Sequence, residues 1–82
     1  MKLPRKRRVH DFTNAKRDSD YIFEAIADGT KAYMTGQGRG VKPGDYLLLR
    51  MNGDTDRYEI EQVEYYASPA DVWIAQLIKV PD

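Results

Sequence analysis

The chain of 82 residues contains no cysteine and only one histidine. Disulfide bonds, thiolate catalysis and cysteine-ligated zinc sites are therefore excluded, and the composition suits the reducing cytoplasm. No apolar run approaches the roughly 20 residues that a membrane-spanning helix requires. The basic start is not followed by an apolar segment, so we expect neither a membrane span nor a secretory signal.

An excess charge of either sign is also lacking, because 13 basic residues balance 13 acidic ones. The charges are nevertheless distributed unevenly along the chain. Residues 1–17 have seven basic residues and one acidic residue, a net charge of +6, and the remainder has a net charge of −6. We therefore predict a flexible basic arm over residues 1–18 and one small domain over residues 19–82. The arm is interpreted either as a solvated tail or as a tether for phosphate or an acidic protein surface.

Residues 19–29 fit two structures. A helix could begin at Asp18 or Ser19 and end at Gly29. Alternatively, a strand over residues 21–27 leads into the turn dipeptide Asp28-Gly29 and pairs with a strand over residues 30–35. We favour the hairpin, because a short isolated helix is marginally stable in water.

Three further strands are predicted over residues 45–51, 57–66 and 72–80, separated by turn-forming clusters. In residues 57–66 the apolar alternation changes phase at Glu61-Gln62, which predicts a β-bulge. In the last strand, Trp73 falls on one face and Ile74 on the other. Five short strands predict an all-β fold, a small five-stranded antiparallel SH3-like barrel, with an OB-like or PUA-like barrel as the alternative. A helix at residues 19–28 would instead make the fold α+β.

The glycine-rich segment 36–45 fits neither the Rossmann nor the Walker phosphate-binding motif, and a strand rather than a helix follows it. We interpret it as an interaction loop that presents Arg39 and Lys42. Residues 52–56 have the spacing of half a calcium loop, but Arg57 stands where glycine is needed, so a turn is predicted. His10 lies in the arm without a neighbouring nucleophile, which predicts a bystander or docking role. We expect no catalytic residue, no metal and no cofactor.

Nine aromatic residues are present, six of them tyrosines. Tyr65 and Tyr66 are adjacent on a predicted strand, so one of them should face outward unless both sheet faces are covered. Exposed tyrosines on a β domain can stack nucleic-acid bases or anchor a protein partner. Most of the aromatic residues are nevertheless expected to fill the small core.

Four segments carry a resemblance: Ala32 to Gly38, Lys42-Pro43-Gly44-Asp45, Tyr58 to Tyr66, and Pro69 to Trp73. Over residues 30–80 the chain resembles small cyanobacterial-type proteins with SH3-like or PUA-like β-barrels. The resemblance implies a fold and no activity.

These patterns favour a non-enzymatic protein–protein interaction module or accessory subunit, which an open sheet edge could also make a homodimer. The alternative hypothesis is nucleic-acid binding through the arm and the exposed tyrosines, against which the acidic body argues. The candidate interaction residues are Arg5, Lys6, Arg7, Arg8, Arg39, Lys42, Tyr65, Tyr66 and Trp73.

Overall fold

The computed structural model describes residues 7–51 and 53–81. It confirms a mainly β fold. The strands are β1 (Val9–Asp11), β2 (Ile22–Ile26), β3 (Lys31–Gln37), β4 (Tyr46–Met51), β5 (Asp54–Tyr65) and β6 (Val72–Lys79), and a 3₁₀ turn spans Ala27–Gly29. Within the described ranges, no helix is long and apolar enough to cross a membrane.

The strands form one mixed sheet in the order β1-β4-β5-β6-β3-β2. Strand β1 pairs in parallel with β4, and all other neighbours are antiparallel. The described part of the chain therefore has six strands rather than five, and the sheet is not closed into a barrel. The additional strand is β1, which lies inside the predicted flexible arm. Three residues are too few to show a period-2 pattern, so the sequence carried no signal for it. The SH3-like or PUA-like resemblance stays a prediction.

The core lies on one face of the sheet. Its hydrophobic residues alternate along the strands and are listed here: Tyr21, Phe23, Ala32, Met34, Val41, Leu47, Leu49, Tyr58, Ile60, Trp73, Ala75 and Leu77. The rings of Phe23 and Tyr58 approach to 5.5 Å between centroids, although β2 and β5 are not neighbours in the sheet. The sheet therefore curls, and its edge strand β2 packs across the core against β5.

The predicted hairpin at residues 21–35 is confirmed, and the helical alternative is wrong. Strands β2 and β3 pair in register from Ile22 opposite Thr35 to Ile26 opposite Lys31. The connection is longer than the two-residue turn expected from Asp28-Gly29. Ala27, Asp28 and Gly29 all have positive φ angles (52°, 61° and 83°). The left-handed backbone at Ala27 is a conformation that alanine rarely adopts, so the sequence did not indicate it.

The predicted bulge is also confirmed. Ile60 pairs with Leu77, and Gln62 pairs with Gln76, so Glu61 is an extra residue in β5. Beyond it, Tyr65 pairs with Trp73 of the core. The bulge thus turns the C-terminal half of β5 so that its odd-numbered residues face inward.

The segment between β1 and β2 joins the two opposite edges of the sheet and covers part of the core. The Phe12 ring meets Tyr21 and Trp73 edge-on, with centroids 6.2 and 6.1 Å away. Arg17 Nη2 donates a hydrogen bond to the Phe23 carbonyl oxygen at 3.0 Å, and the Asp18 backbone N–H donates one to the Tyr21 carbonyl oxygen at 2.7 Å. These contacts occupy carbonyl groups of β2 and its approach, which leaves less of this edge open to pairing with another strand.

Two tyrosines give the fold a measurable pH dependence. Burial raises the pKa of Tyr58, with the charge of Asp56 adding to the effect, and burial also raises the pKa of Tyr21. A raised pKa means that the folded protein favours the protonated tyrosine. This preference stabilises the fold fully at pH values below the unfolded tyrosine pKa of about 10, and the stabilisation is lost as the pH rises through the pKa of the folded protein. We expect Tyr58→Phe to flatten the fall in unfolding free energy above pH about 10. Urea titrations across that range test this, and identical pH slopes for both proteins would contradict it.

Candidate interaction surfaces

One end of the sheet gathers three separate parts of the chain. We call it the loop end; it consists of residues 7–8, the β3–β4 loop 38–45 and the β5–β6 loop 66–71. The Tyr46 N–H donates a hydrogen bond to the Arg8 carbonyl oxygen at 2.8 Å, and the Gly38 N–H donates one to the Asp71 carbonyl oxygen at 2.8 Å. These backbone bonds tie the start of β1 and both loops to the same end of the sheet.

Asp45 is the centre of the loop end. Its side chain is fully buried. Its carboxylate accepts hydrogen bonds from the backbone N–H groups of Arg8 and Lys42, at 3.2 and 3.3 Å, and lies 2.9 Å from His10 Nε2. A buried carboxylate is expensive unless such donors surround it. Asp45 therefore joins β1 to the turn that precedes β4, and His10 has the docking role rather than the bystander one.

The local sequence explains why Asp45 can sit there. Gly44 has a φ of 90°, and its N–H donates to the Ile60 carbonyl at 2.7 Å. The Asp45 N–H donates to the Lys42 carbonyl at 3.1 Å, which closes the Lys-Pro-Gly-Asp turn. Our sequence reading used this turn only as a strand boundary and missed Asp45. The available signal was an acidic residue at the start of the most apolar strand.

Tyr65 holds the middle of the β3–β4 loop. Its hydroxyl accepts from the Val41 N–H at 2.9 Å and donates to the Val41 carbonyl at 3.1 Å. This candidate residue therefore fixes a loop rather than standing free to stack on a ligand. Its neighbour Tyr66 is 46% exposed.

The candidate cations differ in how they are engaged. Arg7 Nη1 donates to the Tyr46 hydroxyl at 2.6 Å, and it lies 3.7 Å from a Glu59 carboxylate oxygen. The guanidinium of Arg8 lies against Gly40, where an added Cβ would come within 2.9 Å of Nη1. Arg39 and Lys42 are exposed.

The remaining candidates do not join this surface. Trp73 is fully buried, so it belongs to the core and not to an exposed interaction surface. Its Nε1 has no hydrogen-bond partner in the part of the chain that the structure describes. The sequence could not show its burial, because alternation assigns Trp73 to a face without saying which face is covered. Arg5 and Lys6 lie outside the described residues.

A second candidate surface lies on the outer face of β2, β3 and β6. We call it the outer patch; it consists of Ile22, Ile26, Tyr33, Ile74 and Ile78. Ile22 is 59% exposed, and Tyr33 is 38% exposed. Strand register places Ile22 and Ile74 on either side of Thr35.

The outer patch is not flat, and charged side chains lie among and around its apolar residues. The Gln76 amide donates to the Tyr33 hydroxyl at 3.0 Å, and hollows of about 230 and 140 Å³ lie beside this pair. The charged side chains are here called the rim. Glu24 is opposite Tyr33, Glu59 is opposite Ile78, Glu64 is opposite Ile74, and Glu61 lines the smaller hollow, whereas Lys31 lies between Ile26 and Ile78. The sequence reading placed Ile74 and Ile78 opposite Trp73 but did not identify their face as exposed.

Among residues 7–51 and 53–81, no group of three metal-ligating side chains is close enough to hold a metal ion. Asp11, the carboxylate of β1, serves a local turn. The hydroxyl and the backbone N–H of Thr13 donate to it at 2.6 and 2.8 Å and lower its pKa, with a contribution from Arg50. Comparison of the chain with protein-family models, curated proteins and solved structures found no match.

Proposed function

We propose that this protein is a non-enzymatic protein-interaction module, an accessory subunit that binds a protein partner through the outer patch. The observation that supports the proposal is the exposure of Ile22, Tyr33 and Ile74 on adjoining strands of one sheet face. The solvated face of an antiparallel sheet is normally polar, whereas here large apolar side chains alternate with polar ones on three neighbouring strands. A concentration of exposed apolar side chains on one face is typical of a binding surface. A cytoplasmic location, which the lack of cysteine favours, is part of the proposal.

The rim defines the chemistry of the partner. Glu24, Glu61 and Glu64 outnumber Lys31 around the patch, so a complementary surface has apolar side chains at its centre and basic side chains around them. A second copy of the chain would bring glutamates against glutamates across the same face. The charges therefore favour a different protein over a homodimer through this patch.

Exchanging one exposed isoleucine tests the proposal. We expect Ile22→Lys to weaken the complex at least tenfold, because it removes an apolar contact and places a positive charge opposite the basic rim of the partner. The partner is captured from an extract of the source organism, purified, and titrated calorimetrically against each variant. Val9→Lys is the matched control, since Val9 is also an exposed strand residue (56%) but lies in the opposite edge strand.

Two results would contradict the proposal. One is an Ile22→Lys affinity equal to that of Val9→Lys. The other is a stable homodimer, detected by sedimentation equilibrium, that Ile22→Lys dissociates.

A further inference from the structure

We propose that the loop end is a second, independent binding site that takes the phosphate backbone of single-stranded nucleic acid. Arg8, Arg39 and Lys42 supply the positive charge, and Tyr66 supplies a face for base stacking. The site shares no residue with the outer patch, so its test does not depend on the proposed protein partner.

The backbones of Arg8 and Lys42 are held in place by hydrogen bonds. Arg8 belongs to a chain segment predicted to be flexible, yet its N–H is bonded to Asp45 and its carbonyl to the Tyr46 N–H. Lys42 is held at its N–H by the same carboxylate, and Val41 beside it by the Tyr65 hydroxyl. A preorganised set of charges loses less entropy on binding than a flexible tail does.

The two carboxylates of the loop end itself are engaged by other groups of the protein. Asp45 is fully buried and faces His10, and Asp71 accepts a hydrogen bond from the Gln37 amide at 2.9 Å. Asp28 and Asp54 lie at the other end of the sheet, in the β2–β3 turn and at the start of β5. Asp18 and Asp20 line a hollow with Gln37 and Val72 and so lie at this end too, beside β2 and β3, whereas the backbones of Arg8 and Lys42 adjoin the start of β4. Part of the net charge of −6 over residues 18–82 thus lies away from the loop cations, which lessens the objection that the acidic body raises against nucleic-acid binding.

The exposed ring of Tyr66 indicates which type of nucleic acid the site takes. Tyr66 is 46% exposed at the end of β5, whereas the Tyr65 hydroxyl is bound to Val41. A base can stack on an exposed tyrosine ring only where it is not already stacked inside a duplex. The combination of loop cations and one free ring therefore favours a single strand over a double helix.

The test measures the binding of the full-length protein to a fluorescein-labelled, mixed-sequence single strand by fluorescence anisotropy at several salt concentrations. If each of the three cations (Arg8, Arg39 and Lys42) neutralises one phosphate, the logarithm of the affinity falls with the logarithm of the salt concentration with a slope of about −2 or steeper. The double variant Arg39→Glu/Lys42→Glu is expected to bind at least tenfold more weakly. Lys31→Glu/Lys79→Glu changes the net charge equally but at the other end of the sheet, and is expected to bind like the wild type.

Tyr66 separates a nucleic-acid site from a general polyanion site. We expect Tyr66→Ala to weaken single-strand binding about fivefold or more, Tyr66→Phe to retain it, and neither to change binding of inorganic polyphosphate. Circular dichroism confirms that each variant is folded. The proposal is overturned by absence of binding at low salt, by equal losses in the two charge-reversal variants, or by Tyr66→Ala having no effect on the single strand.

Discussion

Replacing Asp45 by alanine is expected to lower the free energy of unfolding by about 3 kcal/mol, one of the two largest effects that we predict. The change leaves the N–H groups of Arg8 and Lys42 without this acceptor and removes the partner of His10, around a carboxylate that is itself fully buried. Because β1 is only three residues long, we expect its pairing with β4 to weaken as well.

Urea denaturation measures the global effect, and hydrogen exchange at the amide of Phe12, which donates to the Leu48 carbonyl, reports on β1. Asp71→Ala is the matched control, because that carboxylate also lies in the loop end but accepts a hydrogen bond from an exposed glutamine amide. We expect the control to cost less than about 1 kcal/mol. Equal costs for the two variants would contradict the assignment of Asp45 as the residue that joins β1 to the sheet.

The other large effect is predicted at Gly36, where alanine is expected to destabilise the fold by about 2–3 kcal/mol. Gly36 lies in β3 opposite Trp73, and a Cβ added there would come within 2.7 Å of the indole Cζ2 and 2.8 Å of Cη2. The indole is fully buried, so it cannot move aside without displacing the core.

A double-mutant cycle identifies this contact. Phenylalanine lacks the outer indole ring atoms, so Trp73→Phe makes room for the alanine methyl group. We expect the Gly36→Ala/Trp73→Phe double variant to lose at least about 1 kcal/mol less unfolding free energy than the two single variants lose together. Denaturant titrations of the four proteins give this coupling energy. Additive effects would show that Gly36 is required for another reason.

Local pattern was enough to predict much of the fold. A run of apolar residues located β4, alternation located β5 and β6, and a single change of phase in β5 located the bulge at Glu61. Features that depend on distant contacts were not predictable. Strand β1 is defined by its pairing with β4 and by Asp45, which lies 35 positions from His10. Closure of a barrel depends on whether the two edge strands pair, which period-2 alternation does not address.

For the candidate surfaces, too, the sequence indicated individual residues but not which residues lie together in the fold. Composition identified Arg39, Lys42 and Tyr66 as candidates, and the topology places them at one end of the sheet. Both faces of β6 are apolar in sequence, so alternation could not tell which isoleucines would remain uncovered. The outer patch therefore emerged only when the strand order was known, because its members come from β2, β3 and β6.

Binding of a protein partner by the outer patch is tested most directly by the dissociation constant of the purified complex. We expect the value for Ile22→Lys to be at least ten times that of the wild type, and the value for Val9→Lys to be unchanged. Equal dissociation constants for all three proteins would contradict the proposal.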